Sequence, residues 1–256
     1  MDEPQSFRSR ILPLLRSVVD LVVIVALVVA VRTVVAAPFY VPSASMEPTL
    51  QIGDELLVTK YPYGYSRYSL PLDPGSAFKG RFLGKLPERG DVVVFRPPVN
   101  PSDTWVKRVI GLPGDRLQMR DGRLWINDQI LPVSSDGVAE LEEDNGTKDV
   151  AGRYIETLPN TRQHPIFKLT DDGPLDNTQV YVVPPGMLFM MGDNRDNSLD
   201  SRVPASQGGA DYVPLENVVG RVDLVVGSWD FPVATEGPLW AWPEQLRFSR
   251  FFMRVQ

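Results

Sequence analysis

Between Ser17 and Val31 the chain reads SVVDLVVIVALVVAV, and after Arg32-Thr33 it stays apolar through Val34-Val35-Ala36-Ala37. A bilayer core takes about 20 mostly apolar residues in a helix. Residues 17–37 supply that length with Asp20 and Arg32 as their only charges, both near the ends, where a side chain reaches the interface. The expectation is one transmembrane anchor over 17–37. A cleaved secretory leader competes, with Val35-Ala36-Ala37 as its cut site, but the run is longer than the apolar region of such a leader. A buried core helix is disfavoured, because the segment has no polar face. Arg8, Arg10 and Arg16 precede the span beside Asp2 and Glu3, which points to a cytoplasmic N-terminal tail (residues 1–16) and an outer body (38–256).

That body has enough apolar sequence to fold. Of the 256 residues, 43% are apolar and 23% charged, which excludes disorder over most of the length. The net charge of −6 argues against a partner bound by phosphate neutralisation, so no nucleic acid is expected. Cysteine is absent and histidine occurs once, at His164. Disulfides, zinc thiolates and cysteine nucleophiles are thereby excluded, and a Ser-His-Asp triad or multi-histidine metal site is disfavoured.

After Pro38 the β signals dominate. Glu55–Lys60, Asp91–Phe95, Trp105–Leu112, Val180–Val183, Leu188–Met191 and Val218–Val226 are β-branched or apolar runs bounded by turn residues. Leu117–Arg120 and Arg123–Ile126 flank Asp121-Gly122, a hairpin signal. Residues 134–178 are polar and turn-rich, which suggests a smaller inserted subdomain or a long excursion made of hairpins. The acidic tract Glu140–Asp144 reads as a solvated loop, His164 before Pro165 as a loop residue, and Leu239–Phe252 as a short packed terminal helix, with a membrane-surface segment as the alternative. No βαβ alternation appears.

A hydrolase built from this inventory must draw its nucleophile from serine or threonine and its base from Asp, Glu, Lys or Tyr. A lysine base must lose roughly 2–3 pKa units, which burial supplies. Lys60 and Lys107 alone lie in strongly apolar strand contexts, and Lys107, between Trp105-Val106 and Val109-Ile110, is the better candidate for burial. On spacing alone, a solvent-facing strand lysine remains open. Pro42-Ser43-Ala44-Ser45-Met46-Glu47-Pro48 holds two serines between prolines beside the membrane exit, fit for a nucleophile and a neighbouring hydroxyl, or for an ordinary linker. Ser76-Ala-Phe-Lys79 has S-x-x-K spacing without companion motifs and is a chance match. Asn145-Gly-Thr147 is a glycosylation sequon, meaningful only in a eukaryotic secretory setting.

Four segments in order resemble the conserved boxes of bacterial type I signal peptidase, the membrane-bound Ser/Lys endopeptidase that removes signal peptides. They are Pro42–Leu50 (PSASMEPTL), Gly53–Lys60 (GDELLVTK), Arg89–Phe95 with Lys107–Asp115 (KRVIGLPGD), and Met191–Arg202 (MGDNRDNSLDSR). The resemblance implies Ser45 as nucleophile and Lys107 as general base. It implies an oxyanion hole from the Ser43 hydroxyl and the Ser45 N–H, and Ser198 as the hydroxyl orienting the lysine. Asp200 and Arg202 match a supporting ion pair, with Asp193 and Arg108 beside it. Phe39, Val41 and Val106 match the walls of shallow pockets for small substrate residues.

The implied fold is mainly β, an antiparallel catalytic sheet with an inserted smaller β subdomain at about 120–186, behind one transmembrane helix. The implied partners are preproteins bearing Ala-x-Ala signal peptides, the lipid bilayer and the secretion translocon, with no metal or organic cofactor. The implied location is the bacterial inner membrane, with the body on the periplasmic side. Lysine also separates this chain from endoplasmic-reticulum relatives, which carry histidine there. Some family members have two spans before the serine, where this chain has room for one, and the connection after Arg202 is longer than the shortest versions. The alternatives are a specialised Ser/Lys maturation peptidase of a secretion or conjugation system, and a non-enzymatic β-rich envelope protein.

Overall fold

The valine-rich runs become the middle of one antiparallel sheet. The computed structural model describes residues 5–70, 75, 78–142, 148–229 and 245–255. Helix α1 (Gln5–Val34) leads into β1 (Ala36–Tyr40), which pairs with β2 (Asp54–Thr59). The sheet continues through β16 (Val218–Ser228), β5 (Val92–Phe95), β6 (Trp105–Gly111), β14 (Met187–Met191) and β15 (Val213–Pro214), with β17 (Met253–Arg254) added to β16. β5 is buried along its whole length, so both faces of the sheet are covered there, as a near-continuous apolar run requires. Val92 and Val94 pack with Leu56, Val58 and Val222, and Val93 and Phe95 with Val109, Leu188 and Met190. Register shifts along β16 bend the sheet, the ordinary effect of a bulge.

A second sheet joins β13 (Tyr181–Val182), β7 (Arg116–Arg120), β8 (Arg123–Ile126) and β9 (Gln129–Ile130). The β7–β8 turn is Asp121-Gly122, with φ of 47° and 69° as its two-residue geometry demands. The polar stretch forms a third sheet of β10 (Val133–Glu142), β11 (Lys148–Thr157) and β12 (Gln163–Lys168). A short ribbon pairs β3 (Tyr65–Ser66) with β4 (Arg81–Phe82).

Several expectations need correction. Glu140–Glu142 belong to β10 rather than to a solvated loop, and Asp144 lies outside the described residues. His164 is a buried strand residue. Pro165 beside it is tolerated because β12 is an edge strand, where a missing N–H breaks no ladder bond. Of the C-terminal segment, residues 239–244 lie outside the described residues, and the described part gives a 3-10 turn at Phe248–Arg250 and strand β17 in place of the expected packed helix. Ser76 and Asn145–Thr147 lie outside the described residues.

The N-terminal helix also differs from the expected 17–37 span. It ends at Val34, and Ala36 and Ala37 are strand residues paired with Thr59 and Val58. Among the described residues no helix is long and apolar enough to cross a membrane. The uncharged run between Asp20 and Arg32, Leu21–Val31, covers only about 16 Å at 1.5 Å per residue, roughly half a hydrocarbon core.

Leu124 of β8 is fully enclosed by Leu117, Met119, Ile126 and Phe189 in the core below the second sheet. Leu124→Ala is expected to cost about 2–5 kcal/mol, the usual range for an aliphatic core truncation. Denaturant unfolding checks the loss, with activity at low temperature retained.

Candidate active site

Ser45 lies in a single 3-10 turn, Ala44–Met46, closed by Glu47 N to Ala44 O at 3.0 Å and Leu50 N to Met46 O at 2.9 Å. The segment after β14 grips that turn from outside. Asn194 N donates to Ser45 O at 3.2 Å, and Asn194 Nδ2 donates to Ala44 O at 3.3 Å. Gly192 permits the approach. A Cβ there would stand 2.4 Å from the Ser45 carbonyl oxygen and 2.3 Å from Ser198 Oγ.

β6 delivers the second group. Lys107 pairs with Val93 across the ladder, and its side chain is 5% exposed. Its Nζ lies 2.6 Å from Ser45 Oγ and 3.1 Å from Val106 O, with the Trp105 ring centroid 5.8 Å away. Burial pushes its pKa down from 10.5 to about 8; Asp200 and Asp193 oppose the shift and Arg202 assists it. At pH 7 about a tenth of such amines are neutral, against about three in ten thousand for an ordinary lysine. Ser43 Oγ lies 3.3 Å from Ser45 Oγ. These groups open onto a cleft of ≈ 500 Å³ whose walls include Phe39, Val41 and Val106.

Behind the pair runs a buried chain of charges. Arg108 makes a two-point pair with Asp193 at 2.8 and 2.7 Å, and Thr49 Oγ1 donates to the same carboxylate at 2.5 Å. Arg202 holds Asp200 at 2.9 and 2.8 Å while donating to Arg195 O at 2.6 Å, and Asp200 accepts from Gly192 N at 3.0 Å. Arg195 pairs with Glu156 at 2.9 and 2.5 Å. His164 stands between the pairs, Nε2 3.3 Å from Glu156 and Nδ1 3.4 Å from Asp193. Burial alone would raise these carboxyls. The neighbouring groups reverse that: Arg195, with His164 beside it, brings Glu156 down to about 2, Arg108, with His164 beside it, holds Asp193 well below the carboxylate range, and Arg202 with the Gly192 N–H lowers Asp200.

The structure thus gathers Ser43, Ser45, Lys107, Arg108, Asp193, Asp200, Arg202, Phe39, Val41 and Val106 around one cleft and its backing. Ser198 is buried beside Gly192, but its Oγ has no hydrogen bond among the described residues, so none joins it to Lys107. Lys60 is buried too, and bonds to backbone carbonyls instead. Sequence reasoning missed Thr49, Glu156, Arg195, Asn194 and Gly192. All but Glu156 sit inside the quoted boxes, where their spacing was the available signal; nothing local marks Glu156.

The cleft of this mainly β frame thus holds a serine in contact with a buried lysine whose pKa is lowered. The profile of the family described as "Signal peptidase, peptidase S26" matches residues 14–229. Signal peptidase I of Rickettsia typhi is 38% identical over 247 residues, covering 91% of this chain and 90% of the relative. That of Rickettsia canadensis is 39% identical over the same shares. The crystal structure of a signal peptidase I from Enterococcus faecalis V583 is similar with 27% identity and a TM-score of 0.30, over 54% of this chain and 97% of that one. The chain belongs to the signal peptidase family, peptidase S26, and is an enzyme of that family.

Gly192→Ala tests the grip on the serine turn. The new methyl clashes with both the Ser45 carbonyl and Ser198, so kcat should fall at least tenfold while circular dichroism stays native. Wild-type kcat would show that the turn tolerates the shift.

Proposed function

We propose that this enzyme is a membrane-anchored Ser/Lys endopeptidase that cuts signal peptides from exported preproteins after small residues of Ala-x-Ala type. The observation that carries this reading is the 2.6 Å contact between Ser45 Oγ and a buried Lys107 amine at the edge of an open cleft. Neutral Lys107 accepts the Ser45 proton as the hydroxyl attacks the scissile carbonyl, and the oxyanion is received by the Ser45 N–H and the Ser43 hydroxyl. The lysine, now protonated, returns the proton to the leaving amine. Water then repeats the cycle on the acyl-enzyme with the same lysine as base. The buried pairs Arg108–Asp193 and Arg202–Asp200 hold the frame around the amine, and Ser198 orients it once substrate fills the cleft.

Phe39, Val41 and Val106 wall the pockets for the substrate's small side chains. The chain divides into a cytoplasmic tail (1–16), an anchor within 17–37 and an outer peptidase body (38–256) with an inserted subdomain at about 120–186. The anchor reading is supported by α1, whose side chains from Val18 to Val31 have no polar face and stand exposed, as lipid contact requires. Asp20 and Arg32 reach the two interfaces by snorkelling, and Arg8, Arg10 and Arg16 keep the tail cytoplasmic. The body then faces the periplasm, where translocated preproteins emerge.

Ser45→Ala and Lys107→Ala should each leave a folded protein with activity reduced at least about 1000-fold, and the double variant should be scarcely worse, because the groups act as one unit. Lys107→Arg should fail equally, since guanidinium stays protonated. The wild-type kcat/KM should rise with pH through about 8, because only the deprotonated amine accepts the serine proton. Activity in folded Lys107→Arg, or a profile flat from pH 6 to 10, sinks the mechanism.

Enlarging the substrate residue before the cut from Ala to Leu should cut kcat/KM by about 100-fold, because close-packed walls absorb extra carbons only with strain. Equal rates for a matched peptide pair would show that Phe39, Val41 and Val106 do not line that pocket.

A further inference from the structure

Lys60 shares with Lys107 an apolar strand context and a side chain only 5% exposed, yet its amine does different work. It donates to Arg32 O at 2.8 Å and to Ser69 O at 2.6 Å. The two acceptors belong to different parts of the molecule. Arg32 is in the last turn of α1, where the final carbonyls lack an intrahelical donor. Ser69 closes the 3-10 turn Arg67–Ser69, and its hydroxyl donates to Val219 O of β16 at 3.3 Å. The Lys60 backbone N–H adds a bond to Val35 O at 3.0 Å. Burial, then the nearby Arg32 charge, lowers the Lys60 pKa. A neutral amine still carries two N–H groups, one for each carbonyl.

From this joint β1 carries the chain toward the serine turn. Its five residues span about 17 Å at 3.3 Å each. A change of about 20° at the joint displaces the far end of such a strand by about 6 Å, close to two residues of extended substrate. We propose that Lys60 is a positioning residue that ties the end of α1 to the catalytic sheet and so sets the height of Ser45 and Lys107 over the bilayer. The proposal rests on the reading of α1 as a membrane anchor.

The test uses the full chain in lipid vesicles, with two substrates sharing one cut site: a preprotein whose signal segment is inserted in the vesicle, and a short water-soluble peptide. Lys60→Met keeps the apolar stem and removes both donors. For the inserted preprotein, kcat/KM should fall about tenfold, with part of the product cut at a neighbouring bond, read by mass spectrometry of the new N-termini. For the soluble peptide it should stay within about twofold, and Lys60→Arg should restore most of the loss. Wild-type behaviour of Lys60→Met on both substrates overturns the proposal. So does an equal loss on both with native circular dichroism, since that marks support of the sheet rather than placement. If Lys60→Met does not fold, Lys60→Leu, which also lacks both donors, carries the same comparison. Extraction of the wild type from vesicles by alkaline carbonate overturns the anchor reading itself, and the proposal with it.

Discussion

In the proposed mechanism Lys107 takes a proton near neutral pH and must therefore be kept dry, and the architecture behind it answers to that constraint. Taking an ammonium out of water costs several kcal/mol, and here that cost appears as a pKa of about 8. Bare burial beside unpaired acids would undo the effect, because each carboxylate restores the charge. The acids are present, but each is matched: Asp193 by Arg108, Asp200 by Arg202 and Glu156 by Arg195. Three cations against three anions leave a cluster of nearly balanced field, in which desolvation decides the state of the amine. The pairs also hold backbone. Asp200 bonds Gly192 N, Arg202 bonds Arg195 O, and Asn194 between them grips the Ser45 turn. One set of buried charges thus balances the field on the Lys107 amine and fixes the Ser45 turn.

The parts of this arrangement that were legible in sequence are those encoded locally. β5, β6, β14 and β16 announce themselves as β-branched or apolar runs, and Asp121-Gly122 announces its turn through positive φ. With cysteine absent and histidine single, the residues alone leave Ser43 and Ser45 open as a linker and Lys107 open as a solvent-facing lysine, and the resemblance of four segments to the signal peptidase boxes singles out Ser45 and Lys107. The charged backing was not legible as such. Glu156 is an unremarkable acid in a polar stretch, and its partner Arg195 is 39 positions away. His164 looked like a loop residue because a proline follows it. Only the edge position of β12, a fact of sheet order, lets His-Pro sit in a strand and face inward. Lys60 and Lys107 both lie in apolar strand contexts in sequence, Lys107 the more enclosed by them, and what separates them in the fold is which acceptor it brings to each amine.

The helix illustrates a different limit. Apolar content alone extends the N-terminal segment to Ala37, because alanine and valine suit lipid and sheet alike. Pairing decides otherwise: Ala36 and Ala37 find Thr59 and Val58, and a strand begins two residues after the helix stops. The chain therefore passes from helix to sheet without a flexible linker, and motion of α1 is transmitted to β1.

Long-range assembly also bears on when the enzyme becomes active. Ser45 and Lys107 are 62 positions apart, Arg108 and Asp193 85, and Thr49 and Asp193 144. Such contacts carry a loop-closure cost and form after local structure. In the unfolded chain the lysine keeps its ordinary pKa of 10.5 and almost no neutral amine exists at pH 7. Burial creates the base, and burial requires β5 and β14 to flank β6 and the charged pairs behind it to close. Under the proposed mechanism a partly folded chain holds Ser45 without a neutral amine to accept its proton. On that mechanism proteolytic competence arrives with the last long-range contacts, because the desolvation that lowers the Lys107 pKa exists only in the folded chain.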